Sequence, residues 1–542
     1  MNQGIRFSLD SLTVRGQRLF GWGFCLDPSG PLDACELRLR LADGREQIVP
    51  CFTSGMRDDL IQAYPDIAHA GAAGFMVQAL LPSRLAQGTP AQFVGWRAGV
   101  EACRITLGDF PEAYAPPELL PLGHGGRRLL KVIRQRGVAA AARSLLRGIR
   151  DRLRFDRVAE SLIHQAAGRP LVVVIDHAMG GGANRYRREL LDRLAGEGKE
   201  LVLVTPRIET LSYRAESITG GERPMQAGFA SQDELLAELA RLDIVALHVN
   251  DLVGFDDPPK VLDWALDWRR RGAGRRLSFH VHDFHAVCPA FTLIGADGHY
   301  CGVPDLAVCR ACLPANARHT LGLHTDMPLP EWRRAWSRFL AGCDEVVAFS
   351  EASVAIFERA FGPLDRQRLV LRPHRVERSH LRAVEPVLDS PLVVAAVGHL
   401  SHAKGAGVLL AMADLARRES LPVRFVVIGT LEGVRGGHSH LQVLGAYAPE
   451  RLCDLLEELH AGIAFVPSIC PETYSYVADE LMATGLPLAV FDVGAPAERV
   501  RAYPRGRVIA DAEPRAALDA LLAFATDLRR DQARGSHPEP HP

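Results

Sequence analysis

Lysine is nearly missing from this chain. Of 63 basic residues only Lys131, Lys199, Lys260 and Lys404 are lysines. An excess of one charge is missing too. The 63 basic and 64 acidic side chains leave a formal net charge of −1, which excludes a global basic field for nucleic acid. No apolar run reaches the ~18–20 residues that a bilayer span needs. Met1 to Leu12 lacks a basic stretch followed by an apolar core, so no secretory signal is expected. Eleven cysteines, an odd number, come without a targeting segment. A reducing, cytoplasmic setting is therefore expected, with peripheral contact to the inner membrane face as a further candidate. What remains is ordinary: 542 residues, 47% hydrophobic and 23% charged. That is material for about three or four domains with sizeable cores.

Residues 1–108 read as β. Ile5, Phe7 and Leu9 alternate with polar neighbours, and so do Leu37, Leu39 and Leu41, before Ala42-Asp43-Gly44 supplies a turn. This pattern predicts a small all-β sandwich. Pro111, Pro116, Pro117 and Pro121, with Gly123, Gly125 and Gly126, open a Pro/Gly linker over 109–168. Its second part, 127–164, is arginine-rich and helix-like. It suits either an amphipathic helix on an anionic membrane or a solvated connector, and the near absence of aromatic anchors favours the connector.

From 169 the pattern becomes buried strand and helix in alternation. Leu171 to Ile175 is a continuous apolar run, as a parallel strand covered on both faces requires. Leu201–Val204, Ile244–Leu247, Leu277–Phe279 and Glu345–Phe349 follow in the same style. After Pro391 the pattern restarts with Leu392–Val397, Phe425–Ile428, Gly462–Val466 and Leu488–Phe491. Two such runs predict two doubly wound α/β domains, 169–388 and 389–530, with a disordered tail over 531–542. Ligands in these folds bind at the carboxyl ends of strands, and two facing domains would offer a cleft.

Five motifs fall at such places. Gly180, Gly181 and Gly182 follow the strand ending at Ile175, and would bring backbone N–H groups to a helix N-terminus that favours an anion. The loop lacks both the Walker ending and the spaced dinucleotide fingerprint. Gly398-His399 to Lys404-Gly405 follows another strand, and a lysine in a glycine loop is a natural diphosphate contact. Glu472, Tyr474, Ser475, Tyr476 and Glu480 follow Pro467. Ser475 is a candidate helix cap. On a helical path the two glutamates would stand roughly 12 Å apart, beyond the about 5–10 Å of a glycoside hydrolase pair but suited to two ends of one long ligand. His282 and Asp283 sit at a strand end, placed for proton transfer, hydrogen bonding or metal ligation. Cys288, Cys301, Cys309 and Cys312, the last two with CxxC spacing, could close a structural zinc site or could be reduced core thiols.

Together these residues resemble the retaining glycosyltransferases of family four, which have the GT-B fold. The resemblance covers 170–530. It rests on Glu472-x7-Glu480 after Val466-Pro467-Ser468, with Leu481 to Pro487 following, on Gly398 to Gly405, and on the Gly180-Gly181-Gly182 loop. The run from His282-Asp283 through Cys288-Pro289 to Cys309 and Cys312 is similar to one bacterial branch. Gly21-Trp22-Gly23 and Arg57-Asp58-Asp59 look like β-modules attached to bacterial glycosyltransferases, where a glycan-binding or packing role is plausible.

The resemblance implies roles. Lys404 would contact the donor diphosphate, Glu480 the nucleotide ribose and Glu472 the donor-sugar hydroxyls. The backbone around Tyr474 to Tyr476 would lie beside the diphosphate, and His282 near the reacting centre. His282, Asp283, Lys404 and Glu472 are thus the catalytic candidates. Gly180, Gly181, Gly182, Gly398, His399 and Ser475 join the donor-binding set. The chemistry would need no metal or other cofactor, leaving zinc a structural role only. The family often carries arginine where this chain has His399, and histidine supplies neither its fixed charge nor its fork. The implied partners are a nucleotide-sugar donor and a glycan or lipid-linked acceptor in bacterial surface polysaccharide synthesis, with no nucleic acid. A nucleotide-sugar epimerase and a catalytically silent glycan-binding scaffold of the same fold are the alternatives.

Overall fold

A computed structural model describes residues 4–107 and 170–533, apart from 16, 33, 54–56, 68, 87–90, 98, 178–180, 219–225, 317–322, 325–326 and 434–437. The predicted linker and basic helix over 109–168, the tail from 534 and Gly180 lie outside the described residues.

The N-terminal domain is built from β1 (Arg6–Arg15), β2 (Arg18–Leu26), β3 (Ala34–Arg40), β4 (Glu46–Thr53), β5 (Gly74–Leu80), β6 (Gln92–Arg97) and β7 (Val100–Thr106). These pair antiparallel in the order β1-β2-β5-β4-β3-β6-β7. The expected sandwich is therefore one folded sheet rather than two separate ones. Strand β4 makes the corner. Its first residues, Glu46–Cys51, pair with β3, while Phe52 and Thr53 pair with β5. The two halves close on Phe7, Phe75 and Phe93, whose rings lie 4.8–6.0 Å apart. Gly21 and Gly23 sit opposite the irregularity at Leu9/Ser11 in β1. A Cβ on Gly23 would lie 2.1 Å from the Ser8 carbonyl oxygen, so only glycine admits that close approach. Arg57 ties the same corner by pairing with Asp10 at 3.0 Å. These motifs thus have packing roles inside the domain.

The middle domain comprises β8 (Leu171–Ile175), β9 (Glu200–Arg207), β10 (Ser212–Ser217), β11 (Gln226–Phe229), β12 (Ile244–Val249), β13 (Arg276–His280), β14 (Glu345–Ala348) and β15 (Leu369–Leu371). Their order is β11-β10-β9-β8-β12-β13-β14-β15. The run from β9 to β15 is parallel, and β10 and β11 extend it antiparallel. The C-terminal domain carries β16 (Leu392–Leu400), β17 (Val423–Leu431), β18 (Leu441–Val443), β19 (Ile463–Val466), β20 (Leu488–Phe491) and β21 (Gly506–Ile509), all parallel, in the order β18-β17-β16-β19-β20-β21.

Both sheets are covered on both faces, which is why their strands are apolar without alternation. In β8, Leu171, Val173 and Ile175 enter one core while Val172 and Val174 enter the other. In β16, Leu392, Val394 and Ala396 face one way and Ala395 and Val397 the other. The helices that reach the cleft are, in chain order, α1 (Gly181–Gly196), α2 (Glu351–Phe361), α3 (Ala406–Arg418), α4 (Tyr476–Ala483) and α5 (Gly494–Arg501).

The two α/β domains face each other and are in direct contact. The Thr473 hydroxyl donates to the His282 carbonyl at 3.0 Å. The backbone N–H of Ala352, in the first turn of α2, donates to Glu498 of α5 at 2.6 Å. The β-domain docks on the middle domain through Arg18, which pairs with Asp256, donates to the Leu211 carbonyl at 2.7 Å and stands over the Tyr213 ring. No helix among the described residues is long and apolar enough to cross a membrane.

Candidate functional site

The cleft floor on the C-terminal side is made by the loops after β16 and β19. Gly405 has φ +80° and lies against Pro467. This contact brings the first loop onto the second and sets Lys404 beside Glu472, at 2.7 Å. The other Glu472 oxygen accepts from the Ser468 hydroxyl. Gly494, with φ +65°, lets α5 approach the Glu472 backbone; a Cβ there would stand 2.7 Å from its nitrogen. Burial works against the Lys404 ammonium, but the Glu472 carboxylate outweighs it and holds the lysine above its ordinary pKa. Lys404 is thus charged, oriented and, at 40% side-chain exposure, open to a ligand.

Ser475 is the N-cap of α4, its hydroxyl accepting from the Ala478 N–H at 3.4 Å. The expected path is corrected at one point. Glu472 lies in the loop ahead of α4, and only Glu480 is on the helix. The Tyr474 hydroxyl donates to buried Asp479, which also pairs with Arg499. Arg499 in turn lies over the Tyr474 ring at 4.8 Å. These contacts fix the backbone of 474–476 at a helix N-terminus, where partial positive charge collects. Gly398, with φ +105°, stands beside Val477 at the start of the same helix. Gly182 packs flat on Tyr476; a Cβ would meet its ring at 3.1 Å. Gly181 takes φ +82° at the start of α1. His399 is turned toward Thr430, at 2.6 Å, and Glu432, at 3.8 Å.

The opposite wall stands on the carboxyl ends of β8, β12 and β13. They deliver Asp176 and His177, Asn250 and Asp251, and His282 and Asp283. Burial pushes the Asp251 carboxyl up to about 7, against hydrogen bonds from Asp283 and nearby backbone. Burial and the Asp251 carboxyl together push Asp283 well above the usual range. Both carboxyls thus stand above their ordinary range, with burial as the main cause. His177 approaches Asp251 at 3.6 Å. His282 is held well below its ordinary pKa by burial and by His374, His177 and Arg187. It is therefore neutral at pH 7, and its buried Nε2 has no hydrogen-bond partner among the described residues. Such an atom invites a ligand hydroxyl. His282 stacks within a ring cluster that crosses the cleft. Phe349 lies at 4.8 Å from it, His374 at 4.0 Å from Phe349, and Tyr476 at 5.0 Å from His374.

The structure therefore brings Lys404, Glu472, Tyr474, Ser475, Tyr476 and Glu480 to one wall, with His282 and Asp283 on the other. Arg185, Asp251 and His374 went unnoticed in the sequence. Arg185 lies three residues beyond the glycine loop, Asp251 two residues beyond β12, and His374 in a Pro-His pair after β15. Only their position after a strand could have marked them. The four-thiolate cage is not formed. No three His, Cys, Asp or Glu side chains among the described residues converge so as to hold a metal ion. Instead the Cys309 thiol faces the Pro304 carbonyl, and Cys312 accepts from the Ala296 N–H at 3.4 Å. Burial, and after it the neighbouring thiols, raise Cys288, Cys301 and Cys309 above their ordinary range.

Residues 391–527, the C-terminal domain, match the sequence model of a family described as Glycosyl transferases group 1. A comparison with curated proteins gives no match. Among solved structures the chain is similar to TarM, at 12% identity and TM-score 0.36, over 58% of this chain and 57% of that one. The chain thus spans little more than half the length of TarM. It is also similar to Anabaena HepE crystallised with UDP-glucose, at 14% identity and TM-score 0.40, over 66% and 91% of the two chains. A third is the pneumococcal O-GlcNAc transferase GtfA with UDP and GlcNAc, at 10% identity and TM-score 0.39, over 68% and 93%.

Proposed function

We propose that this chain is a retaining glycosyltransferase that moves a sugar from a nucleotide-sugar donor to a glycan or lipid-linked acceptor, in bacterial surface polysaccharide synthesis. The observation that carries the reading is a coincidence. The segment matching the glycosyl transferase family contains Lys404, Glu472 and Glu480, and the contacts of Thr473 with His282 and of Glu480 with Arg185 set it against the middle domain.

In this reading the donor diphosphate lies between Lys404 and the N-terminus of α4. Glu480 accepts hydrogen bonds from the ribose hydroxyls. Glu472, held by Lys404 and Ser468, accepts from the sugar hydroxyls. The bond from the anomeric carbon to the diphosphate oxygen breaks, and the bond to the acceptor oxygen forms on the same face. The acceptor proton passes to the departing diphosphate oxygen. Lys404 and the helix N-terminus stabilise the charge that develops there, so the chain's own cations serve where a metal ion would. Neutral His282 hydrogen-bonds a sugar hydroxyl at Nε2 and removes no proton. Asp283, acting on Asp251, orients that wall.

The test is nucleoside diphosphate release from a panel of nucleotide sugars, chosen first by thermal shift. A transferase releases the diphosphate slowly alone and faster with acceptor, and its product keeps the donor's anomeric configuration. Conversion of the donor sugar without acceptor would indicate an epimerase. Binding without turnover would indicate a scaffold.

A further inference from the structure

Arg185 bridges the cleft. It projects from the first turn of α1 in the middle domain, and its Nη1 stands 3.3 Å from Glu480 on α4 of the other domain. Its guanidinium lies 4.5 Å over the Tyr476 ring, at the first residue of α4. Glu189 on its own helix lies 3.6 Å away. The guanidinium thus rests between the carboxylate assigned to ribose and the helix N-terminus assigned to diphosphate. Glu480 is only 13% exposed and Arg185 29%, so the pair is shielded and each partner holds the other from its ligand.

The charge inventory of the cleft makes this position informative. A nucleoside diphosphate brings at least two negative charges. Lys404 already faces Glu472, and Arg499 already faces Asp479. His399 is turned to Thr430 and Glu432. Arg378 also lies near Tyr474 and Arg499, but Arg185 is the guanidinium seen paired with the carboxylate that a ligand would take, Glu480.

We propose that Arg185 is a switched ligand of the donor diphosphate: it pairs with Glu480 in the empty cleft, and the nucleotide ribose, by occupying Glu480, releases it to the phosphates. This rests on the nucleotide-sugar reading above. The exchange leaves each charged group hydrogen-bonded throughout. The ribose hydroxyls donate to Glu480, and the guanidinium fork passes from carboxylate to phosphate, for which its planar geometry is equally suited. Movement over the Tyr476 face costs little, because the ring supports the cation at both ends of the path. Arg185 thereby supplies the second fixed charge that His399 does not.

The experiment measures nucleosides and nucleoside diphosphates of uracil, guanine, adenine, cytosine and thymine against the full chain by calorimetry. The wild type is compared with Arg185→Ala, Arg185→Lys and Glu480→Gln. In wild type at least one diphosphate binds. Arg185→Ala binds that diphosphate about tenfold more weakly or worse, the scale of one lost charge-assisted contact, while the matching nucleoside binds as well as in wild type or better, since Glu480 is unblocked. Arg185→Lys recovers part of the diphosphate affinity. Glu480→Gln weakens the nucleoside and preserves the gain from adding the diphosphate. Unchanged diphosphate affinity in Arg185→Ala, with wild-type thermal unfolding, overturns the switch and leaves the glycosyltransferase reading intact. Equal loss of nucleoside and diphosphate affinity overturns it too, because that is the mark of a structural clamp. Absence of any diphosphate binding in wild type overturns the functional reading itself.

Discussion

The contact between Gly405 and Pro467 offers a sharp test of how the wall that carries Lys404 is assembled. Gly405 takes φ +80°, and an added Cβ would stand 1.9 Å from the Pro467 carbonyl oxygen and 2.7 Å from its carbon. Both are backbone atoms, so no side chain can turn aside. Relief needs a shift of about 1 Å or more between the two loops. The left-handed conformation costs a non-glycine residue about 1 kcal/mol, and overpacking against fixed atoms about 1–3 kcal/mol more. Gly405→Ala should therefore lose about 2–4 kcal/mol. The same shift would pull apart Lys404 and Glu472, now 2.7 Å apart, and donor-diphosphate affinity should fall about tenfold. Gly407→Ala is the control. Gly407 is exposed in the first turn of α3, and nothing lies within 4 Å of a Cβ there. That variant should match wild type or gain about 0.5 kcal/mol. Calorimetric melting of the full chain resolves the C-terminal transition from the others, and titration of the bound diphosphate gives the affinity. If Gly405→Ala melts and binds like Gly407→Ala, the two loops are not held by this contact and the placement of Lys404 is wrong.

Three further outcomes are expected. Lys404→Met should lower turnover about tenfold or more by removing stabilisation of the departing diphosphate; a steady-state rate within twofold of wild type would refute the role. Asp251→Asn should raise the melting temperature at pH 8 more than at pH 5. A carboxyl raised to about 7 in the fold binds its proton more tightly than in the unfolded chain. Stability is therefore lost as pH rises from about 4 through 7, by about 1.4 kcal/mol for each pH unit in that window, and an equal change at both pH values would contradict this. Arg18→Ala should weaken docking of the β-domain by about 1–3 kcal/mol, because it leaves Asp256 without its charge partner. Unchanged melting of that domain would show that apolar contacts alone hold it.

The two α/β domains were legible because burial on both faces demands apolar residues at every strand position. Leu171–Ile175 and Leu392–Leu400 announce themselves in this way. The edge strands β11, β15, β18 and β21, and β10 next to the edge, went unread, because short strands at or near a sheet's margin need no such run. The corner in β4 was also hidden. Residues 46–53 alternate in the same manner whether they pair with one strand or, as here, with two in succession. In the candidate site, the glycine loop that carries Lys404 and the helix cap at Ser475 were legible from local pattern, whereas the contact of Lys404 with Glu472 was not. The direction in which the four thiols point was not legible, because cysteine spacing does not report it.

The amino-acid sequence alone determined the order of layers, the strand ends where a ligand can sit and the capped helix at Ser475. All of these follow from periodicity, glycine and local hydrogen bonding within a few residues. Tertiary structure decided the rest, because it depends on groups far apart in the chain. Arg185 meets Glu480 across 295 positions, Asp251 and Asp283 act on each other only because β12 and β13 are adjacent, and burial, set by the whole fold, is what holds His282 below its ordinary pKa.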